Sequence, residues 1–206
     1  MNNNIKKLSE ISHKEWIKIQ TKFCKPESTK KINKEHYKKD LLRTKKILDE
    51  ENITFWLMFG TLLGAIREND FLEWDDNINI AIYEEDLLPK YNILKDKFIS
   101  NNFIIRQIPK PKGTKINLYR NNHKISIEGI FLDPSYCDNK YRLSNKFRHP
   151  KKYFETYEEI SFIGETFRVP SPSKKYLKFL YKDWKTPVNP KDLKSDHKWR
   201  NKECKK

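Results

Sequence analysis

Gly60-Thr61, the acidic pair Asp75-Asp76, and the amides Asn77 and Asn79 lie within twenty residues of one another in the stretch FWLMFGTLLGAIRENDFLEWDDNINIAI, residues 55–82. On a strand, residues two apart share a face, so Asp75, Asn77 and Asn79 line one side while Ile78 and Ile80 take the other. Gly60-Thr61 opens a short helix, and the unpaired amides of a first helical turn form a natural seat for phosphate. Oxygen-bearing side chains gathered beside such a helix mouth point to the chemistry of phosphate esters. Gly and Thr are ordinary residues at the start of a helix, so their weight comes from the acidic and amide cluster that follows at short range.

These residues need a strand, a turn into a helix and a second strand to hold them. The sequence predicts a strand over Thr54–Phe59, a helix over Leu62–Glu68, and a second strand over Asn77–Tyr83. Upstream, Tyr37, Leu41, Leu42, Ile47 and Leu48 recur at helical spacing, which predicts a helix over His36–Glu51 with one face on the core. Downstream, Glu84-Glu85-Asp86 places acids where a helix dipole favours them. Leu88, Tyr91, Leu94 and Phe98 then form one stripe of a helix over Leu87–Ser100.

Strands follow over Phe103–Ile108, Lys115–Tyr119 and His123–Phe131, the last two joined at an Asn121-Asn122 turn. In the last, Ile125, Ile127 and Gly129 face one way and Ser126, Glu128 and Ile130 the other. A hairpin around Gly164-Glu165 and a helix over Lys174–Tyr181 complete the pattern. The alternation predicts an α+β fold in which helices cover a mixed β-sheet, with a peripheral C-terminal helical part. Residues 1–34 are read as an accessory helix and loop, 35–190 as the folded domain, and 191–206 as a basic tail with disordered character.

Composition narrows the field of partners. The 206 residues carry a net charge of +15, with 36% hydrophobic and 34% charged residues, yet 5 Trp, 10 Tyr and 12 Phe supply bulk for a core. Such charge favours anionic partners of any kind, from nucleic acid to phosphorylated small molecules. No nucleic-acid-binding motif accompanies it, so a basic nucleic-acid-binding protein is the weaker alternative. Cys24, Cys137 and Cys204 form no CxxC pair or metal knuckle, which favours free thiols in a reducing compartment. The opening MNNNIKKLSE lacks the apolar run of a signal peptide, and no segment reaches the length of a membrane span. A cytoplasmic protein is therefore expected. The five histidines have no ligand spacing, and the chain has neither a nucleophile elbow nor a Walker loop.

Several separated motifs, taken in order, carry a resemblance. Phe59-Gly-Thr-Leu-Leu-Gly-Ala-Ile-Arg67, Trp74-Asp-Asp-Asn-Ile-Asn79, Glu128 with Phe131-Leu-Asp133, Val169-Pro170 and Tyr181-Lys-Asp-Trp-Lys-Thr-Pro187 resemble the LicD and fukutin-related family. The likeness runs from about Lys38 to Pro187. It implies a nucleotidyltransferase-type fold that moves a phospho-alcohol, such as phosphocholine or ribitol or glycerol phosphate, from a CDP-linked donor to a carbohydrate or glycan hydroxyl.

By this resemblance Gly60, Thr61 and Arg67 hold donor phosphate. The family's acidic pair falls on Asn77 and Asn79 and its third acid on Glu128, the expected ligands of Mg²⁺ or Mn²⁺. Asp133 matches a further family acid, though Asp before Pro is also an ordinary turn residue. Trp74 is expected in the core beside Trp56, Phe59 and Phe71, with stacking on a base or a choline-like cation as the other reading.

Asn is a neutral ligand and no general base, so the amide pair removes two negative charges from the expected metal site. Three explanations stand open: an inactivated form of an active enzyme, a natural homologue that binds without turnover, and a shifted site in which Asp75 or Asp76 assists Glu128.

Overall fold

The computed structural model describes residues 32–108, 112–132, 141–143 and 148–187. The expected accessory helix within 1–34, the tail 191–206, the three cysteines and Asp133 therefore lie outside the described residues. The chain begins with α1 (Lys34–Glu50), whose N-cap Asn33 accepts a hydrogen bond from the His36 amide. The stripe predicted for this helix is buried through Tyr37, Leu41, Ile47 and Leu48.

The chain continues through β1 (Phe55–Leu57), α2 (Phe59–Arg67), β2 (Asn77–Tyr83), the single turn α3 (Glu84–Leu87) and α4 (Tyr91–Ser100). After these come β3 (Ile104–Ile108), β4 (Lys115–Arg120), β5 (His123–Leu132), β6 (Tyr141–Leu143), β7 (Arg148–Pro150), β8 (Tyr157–Phe162), β9 (Glu165–Pro170) and α5 (Ser173–Tyr181). The sequence predicts one helix across Leu87–Ser100, whereas the structure breaks it around Pro89, whose ring and missing N–H interrupt a helix interior. Leu88, expected on the buried stripe, is consequently exposed, while Leu87 is buried in its place.

The strands order as β1-β2-β5-β4-β3, with β6 and β7 extending the end of β5, and β8-β9 forming a separate hairpin. β2 and β5 run parallel; the other neighbours are antiparallel. Asn121 and Asn122 both have positive φ, which gives the β4-β5 hairpin a primed turn, as their pairing predicts.

Register divides the sheet into two unlike faces. Ile78, Ile80, Ile82, Ile116, Leu118, Ile125 and Ile127 pair across β2, β5 and β4 and are buried in one core with Leu41, Leu48, Leu94 and Phe98. The opposite face carries Asn77 and Asn79 on β2, Lys124, Ser126 and Glu128 on β5, and Lys115 and Asn117 on β4. Part of that second face is roofed: Trp56 packs at a tilt on Tyr83 and edge-to-face with Phe154, and Phe154 meets His149 and Tyr176 from the C-terminal part. Among the described residues no helix is long and apolar enough to cross a membrane.

Candidate active site

β1 ends two residues before the predicted boundary because Phe59 turns the chain. Its φ of 48° is a left-handed conformation that a bulky side chain rarely adopts. This sharp corner starts α2 at once, ahead of the predicted Leu62, and brings Gly60 and Thr61 alongside β2. The Met58 amide donates to the Asn79 carbonyl at 3.0 Å, and the Asn79 amide donates to Thr61 Oγ1 at 2.9 Å. Thr61 thus takes over the strand ladder where β1 leaves it, and its 2% exposure shows how tightly the helix mouth is seated.

Gly60 is required by what lies over it. A Cβ at residue 60 would stand 1.9 Å from Asp75 Oδ2 and 2.7 Å from Asp75 Cγ. Asp75 precedes β2 rather than belonging to it, and its amide closes a turn onto the Leu72 carbonyl at 3.1 Å. Residue 75 keeps some exposure, but its carboxylate is packed inward against the helix start. Burial raises the carboxyl to about 7, the Asp76 charge adds to the rise, and the Asn77 amide and the Lys124 charge oppose it.

Tyr37, which the sequence placed only in the core, reaches this turn. Its hydroxyl donates to the Asp75 carbonyl at 3.2 Å, and burial, followed by the charges of Asp75 and Asp76, holds the phenol above its ordinary range. The contact spans 38 residues of sequence, so no local pattern announces it.

On β2, Asn77 Nδ2 donates to Asn79 Oδ1 at 2.7 Å. Glu128 is 5% exposed and accepts from Lys115 Nζ at 3.0 Å. Register sets Asn77 opposite Lys124, Asn79 opposite Ser126, and Ala81 opposite Glu128. Glu128 therefore stands two residues beyond Asn79 and four beyond Asn77, roughly 7 and 13 Å along the strand. The expected oxygen set of Asn77, Asn79, Glu128 and Asp75 fits a divalent cation poorly: one amide oxygen is taken by its neighbour, Glu128 is already paired with an ammonium, and the Asp75 carboxylate is packed against Gly60. Among the described residues no group of three His, Cys, Asp or Glu side chains is placed to hold a metal ion.

Arg67 does not face the helix mouth. It occupies the last turn of α2, roughly 9 Å along the axis from Thr61. Its Nε binds Glu68 at 2.7 Å, and its Nη1 donates to the Trp184 carbonyl at 3.2 Å. It ties the helix to the C-terminal segment. Trp74 departs from its expected place in the core: it is 40% exposed, next to Asp75, while Trp56 and Phe71 do lie in the core. Asp76 is exposed and acts on Asp75 through its charge.

The sequence model of the LicD/FKTN/FKRP nucleotidyltransferase domain matches residues 52–172, more than half of the chain. An uncharacterized protein of Rickettsia prowazekii is 39% identical over 51 residues, covering 25% of this chain and 19% of that protein. The Homo sapiens ribitol 5-phosphate transferase FKRP is 18% identical over 149 residues, covering 66% of this chain and 29% of that protein. The chain thus spans less than a third of the length of these curated relatives. The crystal structure of the lincosamide antibiotic adenylyltransferase LnuA, lincomycin-bound, superposes with a TM-score of 0.50 at 12% identity, covering 75% of this chain and 90% of that one. The α+β fold is that of the nucleotidyltransferases.

Proposed function

The chain belongs to the LicD/FKTN/FKRP nucleotidyltransferase-domain family, and from that premise we propose that it transfers a phospho-alcohol from a CDP-linked donor to a glycan hydroxyl. Phosphocholine and ribitol or glycerol phosphate are the candidate groups. The observation that carries this reading is the lock between Thr61 Oγ1 and the Asn79 amide. It sets a helix mouth against the polar sheet face at the place where the family's motifs converge.

In this reading the donor pyrophosphate meets the first-turn amides of α2, whose partial positive charge favours it. The acceptor oxygen attacks phosphorus, the bond to the bridging oxygen breaks, and CMP leaves. Asp75, the carboxylate set against the helix mouth, takes the proton of the attacking hydroxyl. Trp74, exposed beside it, offers an aromatic face to the cytosine base or to a choline-like cation. No step depends on a metal.

The test is to incubate the purified chain with CDP-choline, CDP-ribitol or CDP-glycerol and a panel of glycans. CMP release that is lost in Asp75→Asn is the expected result. Absence of release with every pair, together with absence of CDP binding by calorimetry, would remove the reading.

A second reading, binding without turnover, is favoured by one observation: Asn77 and Asn79 bond to each other at the positions where the resemblance places the family's acids. It predicts CDP binding without CMP release in this chain, and release that appears in Asn77→Asp/Asn79→Asp.

A further inference from the structure

Both readings assume a bound phosphate and leave open what balances its charge. Positions 77 and 79 contribute none, since both are amides. The third acid position, Glu128, is matched by Lys115 at 3.0 Å, so its charge is already spent within the chain. That pair carries no net charge, so the charge that remains opposite the amides is Lys124, and Lys115 adds only the N–H donors that Glu128 does not use. Lys124 pairs with Asn77 across β2 and β5, and neighbouring strands lie about 4.8 Å apart. Lys124 also stands near enough to Asp75 to favour its charged form. Lys115 pairs with Glu128 across β5 and β4 and lies on the same face.

Between the two lysines, Asn79 and Asn117 flank Ser126, whose hydroxyl donates to Asn117 Oδ1 at 3.1 Å. Two aspartates at 77 and 79 would make this face acidic, and a phosphate could approach only over a bridging cation. With two amides that demand falls away, and Lys124 across the strand can meet an anion directly.

We propose that Lys124 and Lys115 stand in the place of the divalent cation, so that this chain binds the phosphates of a nucleoside diphosphate without metal. The inference rests on the functional reading above for the ligand class, but not for the fate of the metal. Each ammonium is a compact charge with rotatable donors, suited to phosphate oxygens without a fixed geometry. Lys115 serves twice: it neutralises Glu128 and keeps that buried carboxylate from repelling the ligand.

Calorimetry of the full chain with CDP, in excess EDTA and in excess Mg²⁺, reads the claim directly. Equal affinity in both buffers, within about twofold, is expected. In EDTA, Lys124→Met should weaken CDP by about tenfold or more with the melting curve unchanged. Because Lys115→Met alone leaves Glu128 buried without its partner, Lys115→Met/Glu128→Gln is the second variant, and it should also weaken CDP.

A Mn²⁺ titration followed by electron paramagnetic resonance needs no nucleotide. The wild-type chain should leave the free-ion signal intact, and Asn77→Asp/Asn79→Asp should quench it. Stoichiometric Mn²⁺ capture by the wild-type chain, CDP binding only with Mg²⁺, or a Lys124→Met variant that binds CDP normally would each overturn the inference and leave the transfer reading standing. CDP that binds in neither buffer would overturn both.

Discussion

The carboxylate of Asp75 rests on Gly60 so closely that a methyl group at residue 60 would lie 1.9 Å from Oδ2. The helix mouth and the acidic turn before β2 are therefore one packed unit, and glycine is the residue that lets them meet.

Gly60→Ala is expected to destabilise the fold by about 1–3 kcal/mol, the usual range for forcing an extra carbon into a filled space. The cause is specific, so the cost should fall away when the carboxylate is removed. A double-mutant cycle with Asp75→Ala, read by urea denaturation, checks it. Additive costs would mean that the two residues do not clash.

Asp75 also makes stability depend on pH. Its carboxyl is raised from the ordinary 3.8 to about 7 by burial first and by Asp76 second. Between those values the folded chain holds a proton that the unfolded chain has lost. Folded protein binds more protons there, so this group's contribution falls as pH rises through the window. The full swing is on the order of 4 kcal/mol. Asp75→Asn should gain stability relative to the wild type between pH 5 and 8 in chemical denaturation series. Parallel curves for the two proteins would refute the buried carboxyl.

Thr61 completes the ladder of β2, a role that its hydroxyl alone supplies. Thr61→Val keeps the shape but leaves the Asn79 amide without its acceptor, a loss of about 1–3 kcal/mol. Thr61→Ser retains the oxygen and should stay much closer to wild type. Hydrogen exchange at the Asn79 amide gives a local reading: protection should drop in the valine variant and persist in the serine one. Equal protection in all three proteins would assign the lock elsewhere.

The elements around this site were legible in the sequence wherever a short-range pattern determines them. Alternation marked β2, helical spacing marked α1, and Asn121-Asn122 marked a hairpin because adjacent asparagines tolerate the left-handed turn. The partners of the site residues were not legible, since they depend on register and on contacts far apart in sequence. Lys115 meets Glu128 only because β4 and β5 align those positions. Tyr37 meets the Asp75 turn across 38 residues. Arg67 meets the Trp184 carbonyl across 117 residues, and nothing in its own neighbourhood signals that contact.

Asp40 links the helical layer to the tip of the β4-β5 hairpin. It is fully buried in α1, pairs with Arg120, accepts from Asn121 Nδ2 at 3.1 Å, and lies 3.2 Å from His123 Nε2. Burial lowers the His123 pKa despite the opposing pull of Asp40, so the folded ring stays neutral where the unfolded one takes up a proton. Its contribution is full above about 6.5 and is lost as pH falls through the depressed folded value. Replacing Asp40 with Leu leaves Arg120 without its buried partner, which costs about 3–5 kcal/mol for such pairs. Pairing Asp40→Leu with Arg120→Met should recover a large part of that loss, because two apolar groups leave no charge stranded. Thermal melts at pH 7.5 test the pair. If the single variant melts with the wild type, Arg120 is satisfied by water and the clasp does not hold the hairpin to α1.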